Sequence, residues 1–225
     1  MRLPKLVLLA LILVASHAPV ASAQLQWEFT PFAGYYIASD LYNAYSPTGP
    51  GQARVGLTDS FLWGGRLTGT RGHAGLEFAY TRTGSDVQLE NLLAGQPRKD
   101  VGRINIDTFD LNFLGYHQTG NPKVLPFGEI GLGFSVLHPK LDDDVVLAGT
   151  ADPESRTRFN FNFGLGTKIL VSERIGVRLE GRWRITDTNV TTGSTTWCDA
   201  WGYCYSYSTD WYNSGELIGG LSYRF

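Results

Sequence analysis

Long apolar runs are almost missing from this sequence of 225 residues. The longest, Leu6 to Ala15, is half of the roughly 20 residues that a helix needs to cross a bilayer. It follows Arg2 and Lys5 and is followed by a small, mixed stretch ending Ala21-Ser22-Ala23. A positive start, a short apolar core and an A-x-A-type end form the pattern of a secretory signal peptide over residues 1–23. An N-terminal anchor is the alternative. No cysteine stands at the cleavage site, so nothing points to a lipoprotein. The mature chain, 24–225, then reads as one domain, a size common for all-β barrels.

An excess of positive charge is also missing. Without Arg2 and Lys5, 17 of the 19 Lys and Arg remain against 21 Asp and Glu. That net of −4 argues against nucleic acid as a partner. Cysteine is scarce: Cys198 and Cys204 are the only two. An exported chain meets an oxidising compartment, so a local disulfide between them is expected. The segment holds no histidine, and a zinc site needs more ligands than a cysteine pair.

What the chain has is alternation. In Arg158 to Ile169, Phe159, Phe161, Phe163, Leu165 and Ile169 share one face, and Arg158, Asn160, Asn162, Gly164, Gly166 and Lys168 the other. Side chains on a strand point alternately to opposite sides, so this is a two-faced strand. Eight such segments are expected, near 26–37, 60–70, 73–83, 104–117, 125–137, 158–169, 175–186 and 213–225. Long connections (38–59, 84–103, 138–157, 187–212) alternate with short ones near 71–72, 118–124 and 171–174. An up-and-down barrel in an outer membrane has that rhythm, with short turns on the periplasmic side and long loops outside.

A soluble, lipocalin-like barrel would also alternate. Its core would then have to hold the aromatic face, crowded with large rings and poor in Val and Leu. In a membrane barrel that face meets lipid and the charged face points inward. Trp27, Tyr80, Trp183 and Tyr223 lie near strand ends, where interfacial aromatic girdles form. The expected fold is an all-β, eight-stranded, antiparallel up-and-down transmembrane barrel.

The terminal segment Glu216-Leu217-Ile218-Gly219-Gly220-Leu221-Ser222-Tyr223-Arg224-Phe225 resembles the last strand of Gram-negative outer-membrane proteins. Leu217, Gly219, Leu221, Tyr223 and Phe225 stand in the register of that signal. Thr108 to Phe113, Pro126 to Gly133 and Ser172 to Arg182 look like other strands of the group. The mature chain as a whole resembles the small eight-stranded outer-membrane barrels, porin-like and of OmpA/OmpX type. The resemblance implies the cell outer membrane as the location, reached through the periplasm. It also implies lipid and lipopolysaccharide as surroundings, and a barrel-assembly machinery that reads Leu221, Tyr223 and Phe225. No peptidoglycan-binding segment follows Phe225, so a full OmpA-like tethering role is not expected.

On the face expected to point inward are seven cations, Arg66, Arg158, Lys168, Arg178, Arg182, Arg184 and Arg224. Six carboxylates join them: Glu28, Glu77, Asp110, Glu129, Glu180 and Glu216. Eight strands enclose only enough space for side chains, and buried charges have to pair, so a salt-bridged filling is expected. A narrow ion path past Arg178, Arg182 and Arg184 is the alternative. Glycines 128, 131, 133, 164, 166 and 220 are expected mostly on this face, leaving room for the long side chains.

Of the mature histidines, His73, His117 and His138, none stands in an H-x-S arrangement, so no catalytic set is assigned and the chain is not read as an enzyme. No cofactor or metal is assigned either. The run Asp142-Asp143-Asp144, with Asp152 and Glu154, lacks the order of a calcium loop and reads as a solvated acidic loop. The last long connection concentrates Trp197, Trp201, Tyr203, Tyr205, Tyr207, Trp211 and Tyr212 around the cysteines. It is either a stapled, self-packed loop or a contact surface for an extracellular ligand. The functional expectation is a monomeric structural and interaction barrel with binding loops. A small pore or a conduit for apolar solutes, as OmpW-like barrels suggest, is the alternative.

Overall fold

The computed structural model describes residues 25–45, 52–91, 99–141, 155–187, 197–198, 204–207 and 211–225. The expected signal segment 1–23 and the acidic run 142–144, with Asp152 and Glu154, lie outside them. So do Trp201 and Tyr203.

Eight strands close a barrel: β1 (Gln26–Ile37), β4 (Ser60–Arg71), β5 (Ala74–Asn91), β6 (Lys99–Tyr116), β7 (Val124–Leu141), β8 (Arg156–Leu170), β9 (Ile175–Asp187) and β12 (Trp211–Arg224). Each is antiparallel to the next, and β12 returns to β1 through pairs from Glu28↔Arg224 to Ile37↔Gly215. Closure leaves no free edge, so each backbone group in the wall finds a ladder partner, which a hydrocarbon surrounding demands. At the short-turn end the seam is tied by the Phe225 amide donating to the Trp27 carbonyl at 3.1 Å, and on the other side of β12 the Arg224 amide donates to the Arg174 carbonyl of the 171–174 turn at 2.8 Å.

The short turns follow local chemistry. Gly72 takes φ of +63°, the left-handed region that a tight hairpin needs. In the 171–174 turn, Ser172 Oγ accepts from the amides of Arg174 and Ile175 at 3.3 and 3.0 Å.

The opposite rim departs from expectation. Four further strands, β2 (Asp40–Tyr45), β3 (Gln52–Leu57), β10 (Trp197–Cys198) and β11 (Cys204–Tyr207), lie where loops were expected. β4 covers β5 from Ala74 to Thr83, and β3 takes over from Val87 to Asn91. β2, β11 and β10 then extend the sheet in that order. β5, β6 and β7 each run 18 residues, well beyond the 9–11 that cross a bilayer. The extensions escaped the sequence pattern for a physical reason. Above the lipid the outward face of a strand meets water, so the pattern of apolar outside and polar inside stops while the hydrogen-bond ladder continues.

The two faces are sorted cleanly. Phe29, Phe61, Trp63, Leu76, Phe78, Leu111, Phe113, Ile130, Leu132, Phe163, Leu179, Leu217 and Leu221 are all exposed on the outside. The inside holds the buried polar and charged residues. Trp211 is an exposed residue of β12, whereas Tyr212 belongs to the interior, not to the aromatic loop in which it was expected. No helix among the described residues is long and apolar enough to cross a membrane.

Candidate functional site: the filled lumen

β9 carries Arg178, Glu180, Arg182 and Arg184 at a spacing of two, so all four face the lumen as a ladder. Arg178 is a hub. Its guanidinium lies 2.6 Å from Glu77 Oε2, 2.9 Å from Glu129 Oε2 and 2.7 Å from Glu180 Oε2. Arg66 reaches Glu180 at 2.7 Å and Glu77 at 3.4 Å. Glu77 also accepts from Thr68 at 2.8 Å and Asn112 at 3.2 Å.

A second tier lies on the loop side. Arg182 donates to Glu129 Oε1 at 2.7 Å and stands 2.8 Å from Glu180, 3.5 Å from Asp110 and 3.7 Å from Glu216. Arg184 grips Asp110 with both terminal nitrogens at 2.8 and 2.9 Å, and donates to Glu216 at 2.8 Å and Asn160 at 2.9 Å. Toward the short turns, Lys168 is bound to Glu28. Phe127 lies under the Arg178 guanidinium, 4.2 Å from ring centroid to carbon, and Phe32 lies 4.3 Å from that of Arg66.

The pairing has an energetic logic. An unpaired buried charge costs several kcal/mol, and a planar guanidinium can satisfy two carboxylates at once. Room for these chains comes from β7: a Cβ on Gly131 would sit 1.9 Å from Asn112 Oδ1, and one on Gly133 2.5 Å from Asp110 Oδ1. Gly164, Gly166 and Gly220 share the inward register. Gly128 does not; it faces outward, where a Cβ would meet Leu165 of the lipid-side wall at 3.5 Å.

Of the thirteen inward charges named from the sequence, eleven are brought into these contacts. Arg158 and Arg224 are half-buried near opposite ends of the lumen.

A feature missed from the sequence lies above the charges. Phe32, Tyr36, Leu57, Leu62, Ile104, Ile106, Tyr212 and Ile218 form a buried apolar cluster inside the loop-side half of the lumen. The Tyr36 hydroxyl donates to the Tyr212 hydroxyl at 2.9 Å. Between this cluster and Arg184 and Glu216 is a cavity of about 60 Å³. The signal was present: these residues occupy inward register positions, most of them toward the loop ends of strands whose inward face is largely polar.

A closed eight-stranded barrel, apolar outside and polar within, is the arrangement that lipid requires. The sequence matches the outer membrane protein beta-barrel domain family over residues 6–225.

The chain belongs to that family.

As an outer-membrane barrel it resembles OprG from Pseudomonas aeruginosa, with a TM-score of 0.62 and 13% identity, covering 90% of this chain and 98% of that one. It also resembles Neisserial surface protein A, with a TM-score of 0.50 and 14% identity, covering 88% of this chain and 97% of that one. These likenesses establish the fold, and with the family they place the protein in the outer membrane. No curated protein matches the sequence.

The outer wall of this barrel holds one further arrangement that sequence spacing could not reveal. Ser155 Oγ lies 2.8 Å from His138 Nδ1, and His138 Nε2 lies 3.5 Å from Asp107 Oδ2. The Tyr80 hydroxyl donates to Asp107 at 2.6 Å, and Arg82 stands 3.6 Å from the same oxygen. The types match a serine hydrolase relay, but Asp107 is shared with Tyr80 and Arg82. Among the described residues no group of three or more His, Cys, Asp or Glu could hold a metal ion.

Proposed function

We propose that the protein is a closed, non-enzymatic outer-membrane barrel with a structural and interaction role, presenting its long-loop rim outside the cell. The observation that carries this reading is the two-tier network centred on Arg178 and Arg182. It ties the β9 ladder to residues of β4, β5, β6, β7 and β12 across the lumen. Side chains held by several charged partners do not swing aside at low cost, so this filling opposes the passage of ions and solutes.

The exported chain loses residues 1–23, is inserted through the terminal Leu221, Tyr223 and Phe225 signal, and stands as a monomer among lipid and lipopolysaccharide. The loop-side surface around the β10–β11 hairpin is its contact region. Cys198 and Cys204 are opposite each other in that hairpin's backbone register, and a bond between them would staple it. Two experiments test the reading. Liposome-swelling assays with small sugars are expected to give rates close to protein-free liposomes. Replacement of residues 188–210 is expected to abolish adhesion or ligand binding while leaving a folded barrel; unchanged binding contradicts the assignment to this loop.

A second reading, a conduit for small apolar solutes, is favoured by the apolar cluster in the loop-side half of the lumen. Its cavity of about 60 Å³ compares with the roughly 300 Å³ or more of ordinary ligand pockets, so a solute would have to displace Tyr36 or Tyr212. Ile106→Trp fills this space. Reduced uptake of a small apolar solute by cells carrying that variant would support the conduit, and unchanged uptake the closed barrel.

A further inference from the structure

The outer wall changes chemistry along β5 and β6. Trp63, Tyr80, Phe109, Phe134 and Phe159 form a row of rings across five strands. Trp63 and Tyr80 are in edge contact at 6.3 Å between centroids, Tyr80 and Phe109 at 5.2 Å, and Phe134 and Phe159 at 6.1 Å. Phe109 and Phe134 are register partners. Below the row the wall is apolar. Above it β4 and β7 still present Phe61 and Val136, but on β5 and β6 the outward residues become Arg82 and Asp107, then Gly84 and Asn105 with His138 of β7, then Asp86 and Arg103 with Lys140. Amphipathic rings gather at the headgroup level of a bilayer, so this row marks where the outer leaflet ends.

At that level the wall has a depression of about 400 Å³ lined by Ser60, Phe61, Trp63, Arg82, Arg103 and Asn105, with Gly84 in its floor. Gly84 makes it: a Cβ there would stand 3.0 Å from Arg103 Nη2 and 2.9 Å from Asn105 Oδ1. Arg103 therefore folds back across the glycine toward the depression. Arg82 meets Asp107 at 3.6 Å, and nearly half of its side chain is exposed. Asp86 faces Arg103 in register, and exposed Lys140 lies on its other side.

We infer that this depression binds the phosphate of an outer-leaflet glycolipid headgroup. The guanidinium groups of Arg82 and Arg103 grip the phosphate, and an acyl chain descends over Phe61 and Trp63. Three observations converge on a lipid. The cations sit above an aromatic row, not on a loop tip. Two guanidiniums flank one space, the geometry suited to phosphate. Phe61 and Trp63 give the same depression an apolar side, so a phosphate carrying a hydrocarbon chain satisfies both halves and a free phosphate only one. The site stands apart from the lumen and does not depend on whether the lumen conducts.

The test uses the full mature chain folded into phosphatidylcholine nanodiscs containing a minor fraction of diphosphorylated lipid A. Lipid retained on the protein after gentle release is read by native mass spectrometry. Folding of each variant is checked by its mobility on gels before and after boiling. Lipid A is expected to be enriched on the wild type over its share of the disc. In the R82Q/R103Q double variant that enrichment is expected to fall about tenfold, the scale of losing charge-assisted hydrogen bonds. R71Q/R174Q, which removes two charges at the short-turn end, is expected to retain lipid A as the wild type does. Equal retention by folded R82Q/R103Q, or equal loss from R71Q/R174Q, overturns the proposal. So does equal retention of dephosphorylated lipid A, or displacement by millimolar inorganic phosphate, which would mark a site for the free ion.

Discussion

Arg178 of β9 and Glu77 of β5 meet across the lumen at 2.6 Å, although 101 positions separate them in the chain. A contact of such long range exists only once the barrel has closed, so it reports on closure itself. Glu77 is fully buried and Arg178 nearly so. Removing the cation takes a partner from three buried carboxylates, Glu77, Glu129 and Glu180, and leaves them to share Arg66 and Arg182. Arg178→Ala is therefore expected to destabilise the barrel by about 3–5 kcal/mol, the cost of breaking a buried ion pair from one side. Urea unfolding of protein refolded in detergent, followed by tryptophan fluorescence, measures it. A change below about 1 kcal/mol would show that the network contributes little to stability.

The aromatic row fixes the height of the lipid on the wall, and arginine scanning along β7 reads that height. Leu132 is exposed below Phe134 and Val136 lies above it. Leu132→Arg is expected to cost up to about 2–4 kcal/mol in lipid vesicles, and Val136→Arg close to nothing, because the penalty for arginine fades toward the interface. Equal costs at the two positions would move the boundary.

The Ser155–His138–Asp107 chain supplies a sharp check on the non-enzymatic reading. Ser155→Ala is expected to leave the cell's lipid A acylation profile unchanged by mass spectrometry, as is loss of the whole gene. A profile that shifts in both cases would turn the relay into an active site.

Cys198 and Cys204 are opposed in the hairpin register, the backbone arrangement compatible with a bridge. Alkylation of the unfolded, unreduced protein is expected to add nothing, and alkylation after reduction to add two labels. Two labels without reduction would mean that the thiols are free.

The barrel was largely legible because lipid imposes a strict rule on every strand. In Arg158 to Ile169 the phenylalanines alternate with arginine, asparagine and glycine, and the structure puts the two sets on opposite sides of one wall. The inward face of β9 was legible for the same reason: charges at a spacing of two in a lipid-facing strand have one place to go. Which carboxylate meets which guanidinium was not legible, since it depends on how the strands stagger around the barrel. Nor was the cluster of Tyr36, Ile104, Ile106 and Tyr212, which obeys the inward register but breaks its polarity. Asp107, His138 and Ser155 belong to three different strands or their ends and meet only through register. Gly128 shows the limit at a single position, because a glycine carries no polarity to betray its side.

Single-channel recordings in planar bilayers test the closed lumen most directly. The wild type is expected to give no large, stable conductance steps, and a variant with Glu77, Arg178 and Arg182 replaced by glycine to give steps where the wild type gives none. Large, stable steps from the wild type, unchanged in that variant, would contradict the account.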